Sequence, residues 1–211
     1  MKRLFAFVLA CAGMLNALAQ APQPPEIAAK GYLLLDVTSD QVLAERQPDV
    51  QADPASLTKL MTAWLVFDAI KAKKLTLEQT LPVSLRAWSE RKGGGSLMFI
   101  DTPMTPKVDE LLRGMIAVSG NDAAVALAEG VGGSLDNFVA MMNRQAQAWG
   151  LKNTQFKNVT GLTEAGHYSS ARDLGVIATH IVRDFPEHYA AYYALRNYTY
   201  NNIKQDNRNM L

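Results

Sequence analysis

One helix-opening stretch, residues 53–62, constrains this chain more than any other part of the sequence. Asp53 is a favoured N-cap and Pro54 suits a first helical position, so Ser56 is expected in the first turn. Lys59 follows three residues later, on the same helix face and within reach of the Ser56 hydroxyl. The spacing therefore predicts a serine and a lysine side by side at the start of a helix.

The helix that follows is apolar almost all round over residues 57–70, which is typical of a buried helix. Burial removes water from the Lys59 ammonium, and desolvation lowers the pKa of a lysine toward the range of a working base. A serine beside such a lysine can act as a nucleophile. Taken alone, the pair is a weak indication of catalysis, because serine and lysine are common residues. The same spacing is also explained by a serine that starts a helix and a lysine whose aliphatic stem lies along the helix surface.

A second Ser-x-x-Lys match, Ser89 with Lys92, lies among charged residues beside three glycines. No apolar helix is present there to desolvate the lysine, so we discard this pair. The glycine-rich residues 93–96 lack the leading strand and the Gly-Lys-Ser/Thr ending of a phosphate-binding loop. A flexible loop is the prediction for this segment.

The N-terminus has the pattern of a secretory signal: two basic residues, an apolar run over residues 4–15, and a small-x-small site at residues 17–19. We therefore expect residues 1–19 to be a signal peptide. A lipoprotein signal ending at Cys11 is the alternative, but the apolar run before this cysteine is short for one.

Export implies a mature chain with an extended, Pro-rich lead-in over residues 20–30 and a folded part over residues 31–211. Loss of the signal changes the charge from 21 basic against 20 acidic residues to 19 against 20. This balance gives no electrostatic reason to expect nucleic acid as a partner.

Hydrophobic periodicity divides the folded part into strands and amphipathic helices. The predicted elements are a hairpin over residues 32–45, helices that begin near residues 57, 105, 123, 135, 170 and 186, a short strand at 198–200 and a polar end at 205–209.

The second chemical feature is the triplet Ser119-Gly120-Asn121, in a tight connection between two predicted helices. Considered alone, the triplet is better explained as a helix-breaking turn. Beside an activated Ser/Lys pair, however, the serine would provide a proton relay, and the asparagine would provide an amide that recognises a peptide.

These two motifs together resemble the signature of penicillin-binding proteins and class A β-lactamases. With Gly in the middle triplet, the chain is most similar to low-molecular-mass penicillin-binding proteins that act as D-alanyl-D-alanine carboxypeptidases. The stretches that carry the resemblance are residues 95–99, 119–123, 160–162 and 169–173, and it covers nearly all of residues 31–211.

The resemblance implies an α/β (α+β) fold of the β-lactamase/transpeptidase type, with a helical cluster packed on an antiparallel sheet. The Lys-Thr-Gly triplet of the family does not occur in this sequence. In the family that triplet lies on a main-sheet strand, and a β-rich domain with an amphipathic membrane anchor often follows. We therefore expect the later strands to be missing here, and the fragment to be inactive and poorly soluble.

The resemblance also implies a mechanism of acyl transfer without metal or cofactor. Ser56 would attack the carbonyl between two D-alanines of a peptidoglycan stem pentapeptide, and its backbone N–H would form half of an oxyanion hole. Lys59 would accept the hydroxyl proton, and Ser119 would pass a proton to the leaving D-alanine. Asn121 would hydrogen-bond Lys59 and the substrate. β-Lactam inhibitors would acylate the same serine, and the location would be periplasmic, with peripheral attachment to the inner membrane.

Other chemistries fit the sequence less well. A Ser-His-Asp hydrolase would need a Gly-x-Ser-x-Gly elbow, which is absent. A metal site from His180, Asp184 and His188 would be interrupted by a proline. A class A β-lactamase would need an asparagine four residues after its glutamate, whereas Tyr168 stands at that spacing from Glu164. A D-alanyl-D-alanine endopeptidase shares the same motifs and stays open, as does an inactive cell-wall scaffold for the fragment.

Overall fold

The structure is a computed structural model that describes residues 26–209. The predicted signal peptide over residues 1–19 and the first part of the lead-in lie outside the described residues. Short 3₁₀ turns occur at Ala55–Thr58 and Glu90–Lys92. In chain order the strands and helices are β1 Tyr32–Asp36, β2 Gln41–Arg46, α1 Lys59–Lys71, α2 Leu85–Ser89, α3 Val108–Ala117, α4 Asn121–Gly132, α5 Leu135–Ala148, α6 Ala171–Asp184, α7 Pro186–Tyr193, β3 Asn197–Tyr200 and β4 Ile203–Asp206.

Helix α1 lies at the centre of the helical cluster and contacts α3, α4, α5 and α6. Met61, Ala63, Val66 and Phe67 are fully buried in it. A helix covered on all sides needs no polar face, which explains why its sequence is apolar almost all round. The burial predicted for this helix is confirmed.

Two antiparallel hairpins pack beside the helices. Strand β1 pairs with β2, with a β-bulge between Leu34 and Leu35, and β3 pairs with β4 in a separate sheet. Helix α6 packs against β1, where the small Gly175 leaves room for the Leu33 side chain. The α/β (α+β) class and the first hairpin are therefore confirmed.

The end of the described chain contains a strand that the sequence does not predict. From the sequence, residues 205–209 are described only as polar, whereas Gln205 and Asp206 belong to strand β4. This strand is held by pairing with β3, in which Gln205 lies opposite Tyr198 and Asp206 opposite Asn197. Backbone pairing thus stabilises an exposed strand, which could not be predicted because its sequence lacks alternating apolar residues.

Helix α6 starts at a serine cap, as predicted. Ser170 Oγ accepts a hydrogen bond from the Asp173 backbone N–H at 3.2 Å. The buried Asp173 carboxylate in turn accepts hydrogen bonds from Asn153 N and Thr154 Oγ1 at 2.8 and 2.7 Å. The cap therefore also anchors the start of the long connection between α5 and α6. Within residues 26–209, no helix has the length and apolar character needed to cross a bilayer.

The outer face of the first hairpin generates a prediction about self-association. Leu34 and Leu43 are 55% and 58% exposed, and within the described residues β1 and β2 each have one unpaired edge. Such strands promote pairing with another chain, and lysine on the strand opposes it. We expect Leu34→Lys combined with Leu43→Lys to reduce aggregation of this chain measured by light scattering.

The matched control for this prediction is Leu85→Lys. Leu85 is 76% exposed, but it lies on α2 rather than on a strand edge. Its replacement should leave aggregation unchanged. Equal improvement by the control would mean that added charge alone, and not the hairpin, explains the effect.

Candidate active site

Ser56 lies in the 3₁₀ turn that leads into α1, and it is exposed. Asp53 Oδ1 accepts a hydrogen bond from the Ala55 backbone N–H at 3.0 Å, and Ala55 has a φ of 46°. The helix start predicted at Pro54 is therefore wrong, because the left-handed residue turns the chain and regular α-helix begins only at Lys59. Asp53 closes the turn before Ser56 instead of capping the helix.

Lys59 is the first residue of α1, and only 6% of its surface is exposed. Its Nζ donates to Ser56 Oγ at 3.2 Å and to the Thr160 carbonyl oxygen at 2.7 Å. Burial lowers the pKa of the Lys59 ammonium to about 8, although the Glu90 and Asp122 carboxylates act in the opposite direction. With this pKa a minor part of Lys59 is neutral near pH 7, far more than for an exposed lysine, and the neutral amine is suited to accept the proton of the adjacent hydroxyl.

Ser119 lies in the tight connection between α3 and α4, with a left-handed φ of 60°. Its Oγ is buried and has no hydrogen-bond partner among the described residues. A buried hydroxyl without a partner is costly, and such a group calls for an explanation. Ser119 lines a cavity of about 810 Å³ together with Ser56 and Lys59, so the residue with this unpartnered hydroxyl borders the same space as the serine–lysine pair.

Asn121 begins α4 and is 4% exposed. Its backbone N–H donates to the Ser96 carbonyl oxygen at 2.8 Å, and its side-chain amide lies against Gly95, where a Cβ atom would overlap it. Asn121 lines a second cavity of about 370 Å³, which also includes Ser56. The four predicted residues thus come together around two cavities that share Ser56 as a lining residue.

One expected contact is not present. The resemblance implied a hydrogen bond between Lys59 and Asn121, but within the described residues Lys59 Nζ bonds Ser56 and the Thr160 backbone. A backbone carbonyl leaves no side-chain signal in a sequence, so Thr160 could not be assigned this contact. The sequence does contain one indication of this contact, the glycine at the next position. A Cβ atom at Gly161 would overlap the Ala55 carbonyl oxygen, so only glycine lets the two segments lie this close. Glycine permits this close approach of two backbones.

Two further charged residues were not predicted. The buried Asp122 carboxylate accepts hydrogen bonds from Met98 N and Ile100 N at 2.8 and 3.1 Å, so it holds the segment after the glycines against the start of α4. Arg208 lines both cavities, and its Nη2 donates to Ser96 Oγ at 2.7 Å. Arg208 places a positive charge beside both cavities. From the sequence, its segment, residues 205–209, is described only as polar.

The discarded pair lies in a different environment. Ser89 Oγ donates to the Arg86 carbonyl oxygen at 2.7 Å, so its proton is already engaged. Lys92 is exposed, with its Nζ 5.4 Å from the centre of the Trp88 ring. The lysine of this pair is therefore hydrated rather than desolvated.

The histidines near the chain's end do not converge on one point. His180 Nδ1 lies 3.0 Å from Asp184 Oδ2, whereas the His188 ring stacks on Phe67 at a centroid distance of 4.8 Å. Between residues 26 and 209, no group of three or more His, Cys, Asp or Glu side chains is arranged to hold a metal ion.

Known proteins resemble this chain in sequence and in structure. The sequence pattern of the D-alanyl-D-alanine carboxypeptidase family matches residues 18–211. The chain belongs to this family. D-alanyl-D-alanine carboxypeptidase DacA of Haemophilus influenzae is 45% identical over 188 residues, which is 89% of this chain and 48% of the relative. DacA of Escherichia coli strain K12 is 44% identical over 200 residues, 93% of this chain and 49% of the relative.

Among solved structures, penicillin binding protein 5 from Haemophilus influenzae superposes with a TM-score of 0.85 at 44% identity. The superposition covers 89% of this chain and 54% of that one. The penicillin-binding protein fold expected from the motifs is therefore confirmed. The chain spans about half the length of the carboxypeptidases that it matches.

The environment of Lys59 generates a prediction that does not depend on activity. With lysines labelled by ¹³C at Cε, one resonance should titrate with a midpoint at about pH 8, because burial lowers the pKa of Lys59. This resonance should disappear in Lys59→Met. Glu90→Gln should move the midpoint lower still, since the Glu90 carboxylate stabilises the ammonium. A Lys59 that titrates in the usual lysine range would contradict the burial argument.

Proposed function

We propose that the protein to which this chain belongs is a serine-type D-alanyl-D-alanine carboxypeptidase, which removes the terminal D-alanine from peptidoglycan stem pentapeptides. The observation that carries the proposal is the 3.2 Å contact between Ser56 Oγ and the buried Lys59 Nζ. A hydroxyl beside a lysine that loses its proton readily is an activated nucleophile. Membership of the carboxypeptidase family supports the choice of substrate.

In the proposed acylation step, neutral Lys59 takes the proton of Ser56 Oγ while this oxygen attacks the carbonyl carbon between the two D-alanines. The bond from that carbon to the terminal D-alanine nitrogen then breaks. Ser119 relays the proton from Lys59 to the departing nitrogen, a role supported by its buried hydroxyl in the same cavity. The acyl group is left on Ser56, and Lys59 is neutral again.

Water completes the reaction by attacking the acyl-serine ester, which releases the shortened peptide and returns the proton to Ser56 Oγ. A β-lactam follows the same first step, because its lactam C–N bond stands in the place of the scissile peptide bond. Its amine remains tethered after that bond breaks and cannot diffuse away. A long-lived covalent adduct on Ser56 is the expected result.

Two further residues would orient the substrate. Asn121 presents its side chain to the second cavity beside Ser56, where an amide can donate to and accept from a peptide backbone. Arg208 adds a guanidinium at the mouth of both cavities. Its charge favours a substrate that ends in a carboxylate, as a stem peptide does.

The proposed location follows from the substrate and from the N-terminus. Peptidoglycan lies outside the cytoplasmic membrane, and residues 1–19 have the pattern of a secretory signal. We therefore propose export to the periplasm. Peripheral attachment to the inner membrane stays a prediction from the resemblance.

The central test follows the fate of Ser56 in the full-length protein. A stem pentapeptide should lose one D-alanine, and penicillin should add its full mass to the protein, because both acylate the same oxygen. Ser56→Ala should abolish both results, measured by amino-acid release and by intact-protein mass spectrometry. Ser89→Ala, at the discarded motif, is the matched control and should retain both.

Two outcomes would change the assignment. A penicillin adduct that persists in Ser56→Ala would show that another residue is the nucleophile. Cleavage of a cross-linked peptide dimer without release of D-alanine from the pentapeptide would favour the endopeptidase alternative.

The base is tested separately with Lys59→Arg. Arginine keeps the positive charge, but its guanidinium does not lose a proton in proteins, so it cannot accept one from Ser56. The acylation rate should fall by about a hundredfold or more, while circular dichroism shows an intact fold. Lys92→Arg should acylate at the wild-type rate. Near-normal acylation in Lys59→Arg would mean that a different group takes the proton.

A further inference from the structure

The segment over residues 157–167, here called the 157–167 loop, is fastened to the Ser56 turn and to α1 at several points. The Thr160 carbonyl oxygen accepts from Lys59 Nζ, and the Val159 carbonyl oxygen accepts from Thr62 Oγ1 at 2.9 Å. Near the other end of the loop, Thr163 Oγ1 donates to Asp53 Oδ2 at 2.6 Å. The geometry of the serine–lysine pair therefore depends on where this loop lies.

His167 connects the 157–167 loop to the turn that carries Ser56. Its ring is buried, with 5% of the residue exposed, and Nε2 lies 2.8 Å from the Oγ1 atom of the fully buried Thr58. The Lys157 backbone N–H donates to Nδ1 at 2.9 Å. Because Nδ1 accepts this bond, it carries no proton, and in the neutral ring Nε2–H is the donor to Thr58. Thr58 itself lies between Ser56 and Lys59 in the motif.

We propose that His167 is a positioning residue for the acylation reaction: in its neutral form it holds the 157–167 loop so that Thr160 keeps Lys59 against Ser56, and its protonation releases the loop. The inference rests on the proposed function for the reaction that it affects. It assigns to His167 a role that the sequence motifs do not include.

Protonation changes the contact at Nδ1. A proton on Nδ1 would point at the Lys157 N–H, so two donors would face each other and the bond between them would be lost. Lys157 precedes Thr160 by only three residues, so a shift of the Lys157 backbone would be passed on to the Thr160 carbonyl. Displacement of the Thr160 oxygen would remove one of the two hydrogen bonds that orient the Lys59 amine.

The groups around the His167 ring determine the pH at which it is protonated. Burial lowers the pKa of His167 below its ordinary value of about 6.5, and the Asp53 and Glu164 carboxylates raise it in part. The Phe156 ring packs edge-on against the imidazole at a centroid distance of 6.0 Å. The Lys157 side chain lies against Gly166, the residue before His167. Neutral His167 therefore dominates above about pH 6.5, and the charged form appears only in more acidic solution.

The test is the pH dependence of acylation by a fluorescent penicillin, measured on the full-length protein from about pH 4.5 to about pH 8.5. One proton on Lys59 makes the rate fall about tenfold per pH unit on the acid side. A second proton on His167 should steepen this to about a hundredfold per unit. In His167→Gln, whose amide can donate to Thr58 but does not titrate, the slope should stay at about tenfold.

His188→Gln is the matched control. Burial lowers the pKa of His188 as well, but this ring packs against Phe67, Phe185 and Tyr192. The variant should keep the steep wild-type slope. Equal slopes in wild type and His167→Gln would overturn the inference, whereas absence of acylation in every variant at every pH would contradict the proposed function itself.

A second measurement uses the wild-type protein alone. The ¹⁵N resonances of the His167 ring, assigned through the Lys157 amide, should show Nδ1 unprotonated at neutral pH. Their titration midpoint should coincide with the pH at which the acylation slope steepens. A midpoint elsewhere, or a proton on Nδ1 at neutral pH, would overturn the inference even if His167→Gln did not fold.

Discussion

The two hydrogen bonds of the Lys59 ammonium connect parts of the protein that are far apart in the chain. One bond reaches Ser56 on the preceding turn, and the other reaches the Thr160 carbonyl oxygen, about a hundred residues later. A buried ammonium is unfavourable unless polar groups surround it, and these two oxygens provide that compensation. Because desolvation lowers the pKa of Lys59 at the same time, one arrangement both stabilises the site and prepares the base.

Two of the eight non-glycine residues with a positive φ among residues 26–209 lie beside the same side chains. Ala55, next to Ser56, and Ser119 have left-handed φ angles, each of which costs a non-glycine residue about 1–2 kcal/mol. Such conformations persist only where the surrounding structure holds them, and they cluster at functional sites. Here both left-handed residues adjoin buried helices, and Ser56 and Ser119 line one cavity.

Buried polar side chains fasten the two loops that flank Ser56, in addition to the apolar packing of Met98 and Val159. Asp122 binds the backbone on the side of the glycine-rich segment, and His167 binds Thr58 on the opposite side. Asp173 anchors the connection that leads into the second loop. Polar anchors of this kind set the distance between a loop and a helix more narrowly than apolar contacts do, because hydrogen bonds are directional.

The sequence alone determined the elements with strong local signals: the buried α1, the first hairpin, the serine-capped α6, and the pairing of Ser56 with Lys59 at helical spacing. It also indicated the family, since both motifs are short and local. Tertiary structure alone decided that a Thr160 backbone oxygen, and not Asn121, is the second partner of Lys59. It also decided that β4 forms from polar residues and that Arg208 reaches the cavity mouth. These features depend on contacts between distant segments and on backbone atoms, which are the same in every residue and leave no pattern of side chains to read.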